Sequence, residues 1–301
     1  MIKKEKTQPV TFIDLFAGIG GFHCAFHALG AECVFASENN PYARQTYEHN
    51  FKKINSYLFT SKRFYGDIFK MTQEDMSHLP YFDILCAGFP CQPYSHIGSK
   101  QGFEDERSYA FFVIKDILCI KRPAVFFLEN VSHILRHNEG KTFDAMLNIL
   151  QDQLGYTVYY YIVKAYDFGL PQNRRRIFII GFRSEDEYRK TFIPPDKIPL
   201  TMTMSDIFQG KCNKEIGYTL RVSGRGSLLN DRHNWDGYIV DGKERRLTPK
   251  EAAAMQGFSD DFEFPVSDNQ AMKQLGNSVA IHAVQAYGQA ILNRMQTIVK
   301  R

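Results

Sequence analysis

VTFIDLFAGIGGFHCAFHALGAECVFAS, residues 10–37, decides the fold. Residues 10–16 are a short, mostly apolar run of the kind that forms a buried strand. A glycine-rich turn, Gly18-Ile19-Gly20-Gly21, follows it. Apolar residues then recur at helical spacing to about Leu29, and residues 32–37 return to a strand-like run. Strand, glycine turn, helix and strand in immediate succession form a βαβ unit.

The pattern continues outward from there. A helix is expected over residues 41–51, a third strand ending near Gly66-Asp67, a fourth over 82–87 and a fifth over 124–129. Helical spacing covers 107–121 and 142–154, and residues 157–163 and 177–182 read as strands. The fold class is therefore α/β, a mostly parallel, Rossmann-like sheet with helices on both faces. Near Phe192 the pattern breaks. Ile193-Pro194-Pro195 and Ile198-Pro199 look like a linker, and residues 201–242 are irregular and punctuated by Gly217, Gly224, Gly226 and Gly237. Residues 248–257 read as a helix with Thr248 as N-cap, Pro249 in its first position, Glu251 as capping-box partner and Gly257 as the stop. A last amphipathic helix runs from about 280 to 295. The expected division is one domain of residues 1–190 and 272–301, and a small loop-rich domain of residues 191–271.

Bulk properties exclude little. The 301 residues are 44% hydrophobic and 23% charged, an ordinary globular balance, and the net charge of +4 permits a polyanionic partner without demanding one. No apolar run reaches the length needed to span a bilayer. The opening MIKKEKTQPV has lysines but no apolar core, so it does not read as a secretory signal. The six cysteines are scattered with no Cys-x-x-Cys pair. That suggests neither structural zinc nor a redox motif, and it fits a reducing cytoplasm.

In an open parallel sheet, ligands bind at the carboxyl ends of the strands, and the informative residues fall there. The glycine turn after the first strand allows close approach of a ligand to backbone amides. It suits NAD, FAD, a nucleotide or S-adenosylmethionine, or it is only a turn. The dinucleotide spacing GxGxxG is not met, because position 23 is His. Glu38 follows the second strand, where an acid can accept from both ribose hydroxyls. Asp67 ends the third and can accept from an adenine amino group. Joint placement after successive strands supports a nucleoside-bearing cofactor. The fourth strand ends in Gly88-Phe89-Pro90-Cys91-Gln92-Pro93. Cys91 is either an incidental thiol in a turn or a nucleophile held beside the cleft. Glu129 follows the apolar run 125–128, where a carboxylate is expensive to bury alone, so it is paired or catalytic. Its expected partner lies in Gln172-Asn173-Arg174-Arg175-Arg176. Strand alternation turns Arg174 and Arg176 to the same side.

The ordered set DLFAGIGGF, SEN, GDI, GFPCQPYS, ENV, QNRRRIFIIG, RRLTPKEAAAMQGF and QLGNSV resembles the motif series of the bacterial C5-cytosine DNA methyltransferases, from Ile13 to Val279. The resemblance implies an S-adenosylmethionine-dependent enzyme with a catalytic and cofactor-binding domain and a small target-recognition domain. It implies that Cys91 adds to carbon 6 of a cytosine flipped out of duplex DNA. Glu129 would meet N3 and N4 of the base, with Arg176 orienting Glu129 or touching the base carbonyl and Arg174 beside it. Phe16, Gly18, Gly20 and Gly21 would line the cofactor pocket, with Glu38 at the ribose, Asp67 and Ile68 at the adenine, and Pro90 near the methyl group. Asn277, Ser278 and Val279 would return to close the site. Many relatives carry an aromatic after the ribose-binding acid; here that position is Asn39. Residues 95–108, beginning at Ser95, suit a loop that closes over the base. Sequence reading is expected in residues 217–235, through Arg221, Arg225, Arg232, His233 and Asn234. Trp235 suits either that role or the small domain's core. The partners implied are double-stranded DNA and a cognate restriction endonuclease acting independently. No metal, no membrane, a monomer and a bacterial cytoplasmic location complete the expectation. The nearest rival is a tRNA cytosine-5 methyltransferase of the same fold, whose usual Cys-Phe-Thr tripeptide is absent here. A catalytically dead DNA-binding regulator and a nicotinamide-dependent oxidoreductase stand further off.

Overall fold

The computed structural model describes residues 8–90, 109–183 and 191–299. Seven strands form one sheet: β1 Thr11–Leu15, β2 Glu32–Ser37, β3 Phe64–Tyr65, β4 Ile84–Gly88, β5 Val125–Val131, β6 Tyr156–Lys164 and β7 Arg175–Arg183. Their order is β3-β2-β1-β4-β5-β7-β6. Pairings among β1 to β5 are parallel, while β7 runs antiparallel to both β5 and β6. A mostly parallel sheet was expected, and β7 is the strand that departs.

Alternation along each strand sends side chains to two separate cores. Phe12, Cys86, Phe127 and Phe178 point to one face. Ile13, Leu85, Phe126 and Ile179 point to the other. On the first face lie α1 Gly21–Ala28, α2 Pro41–Phe51, α3 Ser56–Thr60 and the final helix; on the second lie α4 Gln73–Ser77, α5 Tyr109–Lys121 and α6 Lys141–Asn148. The short β3, α3 and α4 have too few residues for a periodic signal, and α3 and α4 have no counterpart in the sequence reading.

The smaller region contains α7 Met204–Phe208, a hairpin of β8 Gly237–Val240 and β9 Lys243–Arg246, and α8 Pro249–Gln256. The hairpin turns on Asp241 and Gly242, with φ of 50° and 76°. Two successive positive φ values define the two-residue turn that matches strand twist, and Asp-Gly is a strong sequence signal for it. Sequence reasoning read this stretch as irregular although that signal was present. Trp235 is buried, with its indole nitrogen donating to Ser223 O at 2.7 Å. It belongs to the small region's core. α8 has the expected ends: Thr248 and Glu251 form a capping box, Pro249 opens the helix and Gly257 closes it at φ 90°. Phe192, just before the expected linker, is buried against Tyr159 and Phe182, while Ile193 and Ile198 within that stretch are exposed.

The chain then returns to the sheet through α9 Asp268–Asn277 and α10 Ile281–Val299. α10 packs against α1. The boundary expected between 271 and 272 falls inside α9, a helix the sequence reading did not identify. Only Ala271, Met272, Leu275 and Gly276 give it an apolar buried face, which is a thin stripe to detect. Among the described residues, no helix is long and apolar enough to cross a membrane.

Candidate active site

Parallel strands end on one edge of the sheet, so β1, β2, β4 and β5 deliver Phe16, Glu38, Pro90 and Glu129 to a common cleft of about 470 Å³. β7 reaches the same edge by running the other way. Its first residues lie where β5 ends, and Arg176 is register partner to Val131. The antiparallel strand therefore explains how the run 172–176 comes beside Glu129. The far wall is α9, with Gln270, Lys273, Gln274 and Asn277 lining the cleft. Their spacing of i, i+3, i+4 and i+7 puts them on one helix face.

At the β1–β2 end, Glu38 is held by two backbone amides. Gly18 N donates to Oε2 at 2.8 Å and Asn40 N to Oε1 at 2.7 Å. Burial raises the Glu38 carboxyl above its ordinary value, partly offset by those amide donors. Gly18 adopts φ 56°, and a Cβ added there would meet nothing within 4 Å. The turn thus leaves open space above a backbone amide. On the facing wall, Thr46 donates to Gln274 Oε1 at 3.0 Å, which leaves Gln274 Nε2 buried without an acceptor. An orphaned buried donor beside open space is what a polar ligand would satisfy.

Several expected cofactor residues sit elsewhere than inside this cleft. Gly20 and Gly21 lie beneath it. A side chain at Gly20 would overlap the Phe51 ring, and one at Gly21 would come within 2.6 Å of Val279 Cγ2 and 3.0 Å of Ser278 Oγ. These glycines let residues 278–279 pack close, and Ser278 and Val279 are themselves buried. Asp67 caps a 3-10 turn, accepting from Phe69 N at 3.2 Å, and Ile68 is buried in the core. It is Phe69, not singled out from sequence, that lines the cleft with Phe16.

At the β5 end, Arg176 Nε lies 3.1 Å from Glu129 Oε1, with side chains 16% and 9% exposed. Such limited exposure makes the pair far less screened than a surface pair. Asn130 fixes the adjoining loop, its amide donating to Phe89 O at 3.1 Å. Arg174 points to the same side but does different work. It is buried, and its guanidinium donates to Leu220 O at 3.4 Å, to Gly276 O at 3.2 Å and to Ser278 O. Burial and the neighbouring Arg176 push its pKa down, and Glu129 partly compensates. Gln172 completes the brace, donating to Met255 O at 3.2 Å and accepting from Leu220 N at 3.3 Å. Four chain segments, around residues 172–174, 220, 255 and 276–278, are thus fixed against one another at the cleft. Gly276 permits the close contact, since a Cβ there would lie 2.6 Å from the Arg221 carbonyl carbon.

Cys91 and Ser95 lie outside the described residues; Pro90, which immediately precedes Cys91, lines the cleft. Arg221, Arg232 and His233 are exposed, and Arg225 Nε stands 3.8 Å from Asp236 Oδ2. His233 is engaged by Asp231 at 2.8 Å. Asn234 departs from expectation. It is buried, its amide donates to Gly237 O at 3.0 Å and its Oδ1 accepts from Gly237 N at 3.0 Å. Its polar atoms shape its own loop and do not face outward to bases.

A model of the family described as C-5 cytosine-specific DNA methylase matches residues 10–223 and 213–293 of the chain. The type II methyltransferase M.DsaV of Dactylococcopsis salina is 38% identical, over 96% of this chain and 87% of the relative. The type II methyltransferase M.HpaII of Haemophilus parainfluenzae is also 38% identical, over 96% and 90%. Among solved structures, the Entamoeba histolytica methyltransferase EhMeth superposes with a TM-score of 0.72 at 18% identity, covering 98% of this chain and all of the other. At that identity the likeness concerns the fold.

Proposed function

Because the chain belongs to the C-5 cytosine-specific DNA methylase family, we propose that its strand-end cleft holds the methyl donor beneath α9 and an everted cytosine at Glu129. The protein is a DNA (cytosine-5-)-methyltransferase with type II methyltransferases of bacteria among its relatives. These relatives favour the DNA reading over the tRNA alternative. S-adenosylmethionine, the donor the family implies, supplies an electrophilic methyl group when bound. Glu38 would accept from its ribose hydroxyls, Gly18 leaves room beside the turn, and Gln274 and Asn277 face it from α9.

The observation that carries the assignment of roles is the shielded Arg176–Glu129 pair at the β5 end of that cleft. Carbon 5 of cytosine is a poor nucleophile until a group adds at carbon 6. The Cys91 thiolate adds its electron pair there, and the electrons of the 5,6 double bond move toward carbon 5 and N3. Negative charge growing on N3 needs a proton, and the Glu129 carboxylate, taking a proton from water as the base enters, would pass it to N3. Arg176 holds Glu129 in place from the side. Carbon 5 then takes the methyl group. A water molecule takes the carbon 5 proton, the freed electron pair re-forms the 5,6 double bond and expels the Cys91 thiolate, and N3 returns its proton to Glu129. Arg174, whose two terminal guanidinium nitrogens donate to backbone carbonyls of residues 220, 276 and 278, is a positioning residue in this scheme. Asp67 and Ile68 support the adenine end from behind Phe69. Arg221, Arg225, Arg232 and His233 contact DNA, as does Ser95. The recognition unit comprises residues 191–267, with α9 onward joining residues 1–190.

The type II names of the relatives support a cognate restriction endonuclease that acts separately on the same sequence. We further infer a monomer working in the bacterial cytoplasm. Purified protein incubated with labelled S-adenosylmethionine should label duplex DNA at carbon 5 of cytosine, and Cys91→Ser should abolish labelling. Labelling confined to tRNA, or near-wild-type turnover by Cys91→Ser, would overturn the reading.

A further inference from the structure

Adenine is a flat, weakly polar group, and a site for it needs an aromatic or apolar face as well as hydrogen bonds. If Glu38 binds the ribose, the base attached to that ribose lies at the same end of the cleft. The residue directly after Glu38 is Asn39, which lines the cleft but presents no face. Two rings do line this end, Phe16 and Phe69. Phe89, at the end of β4, belongs to the other end and is buried.

Neither Phe16 nor Phe69 sits as packing alone would put it. Phe16 adopts φ 55°, the left-handed conformation that costs a bulky residue about 1 kcal/mol or more. That backbone turns it off the end of β1, where it lines the cleft. Phe69 is 38% exposed although its neighbour Ile68 is buried. The 3-10 turn Ile68–Lys70, capped by Asp67, separates the two: one side chain goes into the core and the next to the cleft. The ring centroids of Phe16 and Phe69 are 5.9 Å apart at an interplanar angle of 52°. The two rings form an angled corner in the cleft that Glu38 and Asn39 also line, and Phe69 is exposed there.

We propose that Phe69 is the stacking surface for the adenine of the methyl donor, with Phe16 closing the corner against the edge of the base. The polar Asn39 beside Glu38 is thereby relieved of that task. This inference rests on the cleft being the donor site. It assigns to Phe69 a binding role that the residues Asp67 and Ile68 before it do not fill.

The test is calorimetric titration of the full-length protein with S-adenosylhomocysteine, a probe that needs no turnover. Phe69→Ala should weaken binding by roughly 5- to 100-fold, the range of one lost base–aromatic stack. Its melting temperature should stay close to that of the parent, since the ring is exposed. Phe69→Trp should keep affinity within about threefold, and its indole emission should be quenched on adding the probe. Trp235, the chain's one tryptophan, is buried and provides a constant background. Unchanged affinity in Phe69→Ala, or unchanged emission in Phe69→Trp with the probe bound, would overturn the role of Phe69 and leave the donor site standing. A parent protein that does not bind the probe would overturn the donor site itself, and the stacking role with it.

Discussion

Glu129 and Arg176 are separated by 47 positions of chain, yet the register of β5 and β7 brings their head groups to 3.1 Å. The two should respond differently to substitution. Glu129→Gln keeps the shape and removes the acid, so turnover should fall by about 100- to 1,000-fold while S-adenosylhomocysteine binding is retained. Arg176→Ala leaves a shielded carboxylate without its cation and should also destabilise the fold, on the order of 3 kcal/mol, read as a lower denaturant midpoint. Equal stability losses with full turnover in Glu129→Gln would reduce the pair to a structural one. The thiols make a parallel point. Cys24, Cys33 and Cys86 are all held above their ordinary range by burial, Cys24 to about 12. As neutral thiols they are poor nucleophiles at physiological pH. That argues against nucleophilic chemistry at these three thiols.

Elements differed in how openly the sequence announced them. β2 and α2 have the bounds expected, because each combines a clear period with a clear stop. α8 was legible to its caps. Thr248→Ala removes the side-chain bond to Glu251 N and half of the capping box, and should cost about 1 kcal/mol in thermal or chemical unfolding. A change below about 0.3 kcal/mol would mean that tertiary packing alone holds the helix. Strand direction was not legible, since the apolar run of β7 is the same whichever way it runs. α9 was missed because its cleft face is polar. The four residues that line the site are the ones that dilute its hydrophobic period. The same conflict hid Phe69, which reads as one more apolar residue after a strand until its exposure is known. Motif residues were legible as a set. Which of them touch the cleft and which only shape it, as with Gly20, Gly21 and Arg174, depends on packing across long separations.

For the molecule as a whole, pH dependence of stability follows from its buried titratable groups. His23 is buried between Tyr47 and Phe51, stacked on the Phe51 ring at 4.0 Å with Nδ1 2.7 Å from Tyr47 Oη. Burial lowers its pKa from 6.5 to about 3. The unfolded chain therefore takes up a proton below pH 6.5 while the folded chain refuses it until about pH 3. The stabilisation is whole above 6.5 and falls by up to about 1.4 kcal/mol per pH unit below it. Asp14 has the opposite sign: burial raises its carboxyl, so its contribution is greatest in acid and declines as pH rises. In urea unfolding at pH 7 and pH 5, the parent should lose more stability, or gain less, on acidification than His23→Gln does. An identical slope in that variant would assign the acid sensitivity to other groups. The closure of the site by α9 and residues 276–279 has a consequence for biosynthesis. On the ribosome, the sheet and its glycine turn emerge long before the segment that packs against Gly21 and receives the Arg174 guanidinium. The nascent protein has every strand of its scaffold in hand and still lacks one wall of the cleft. Competence to methylate waits until residues 270–279 have left the exit tunnel and docked.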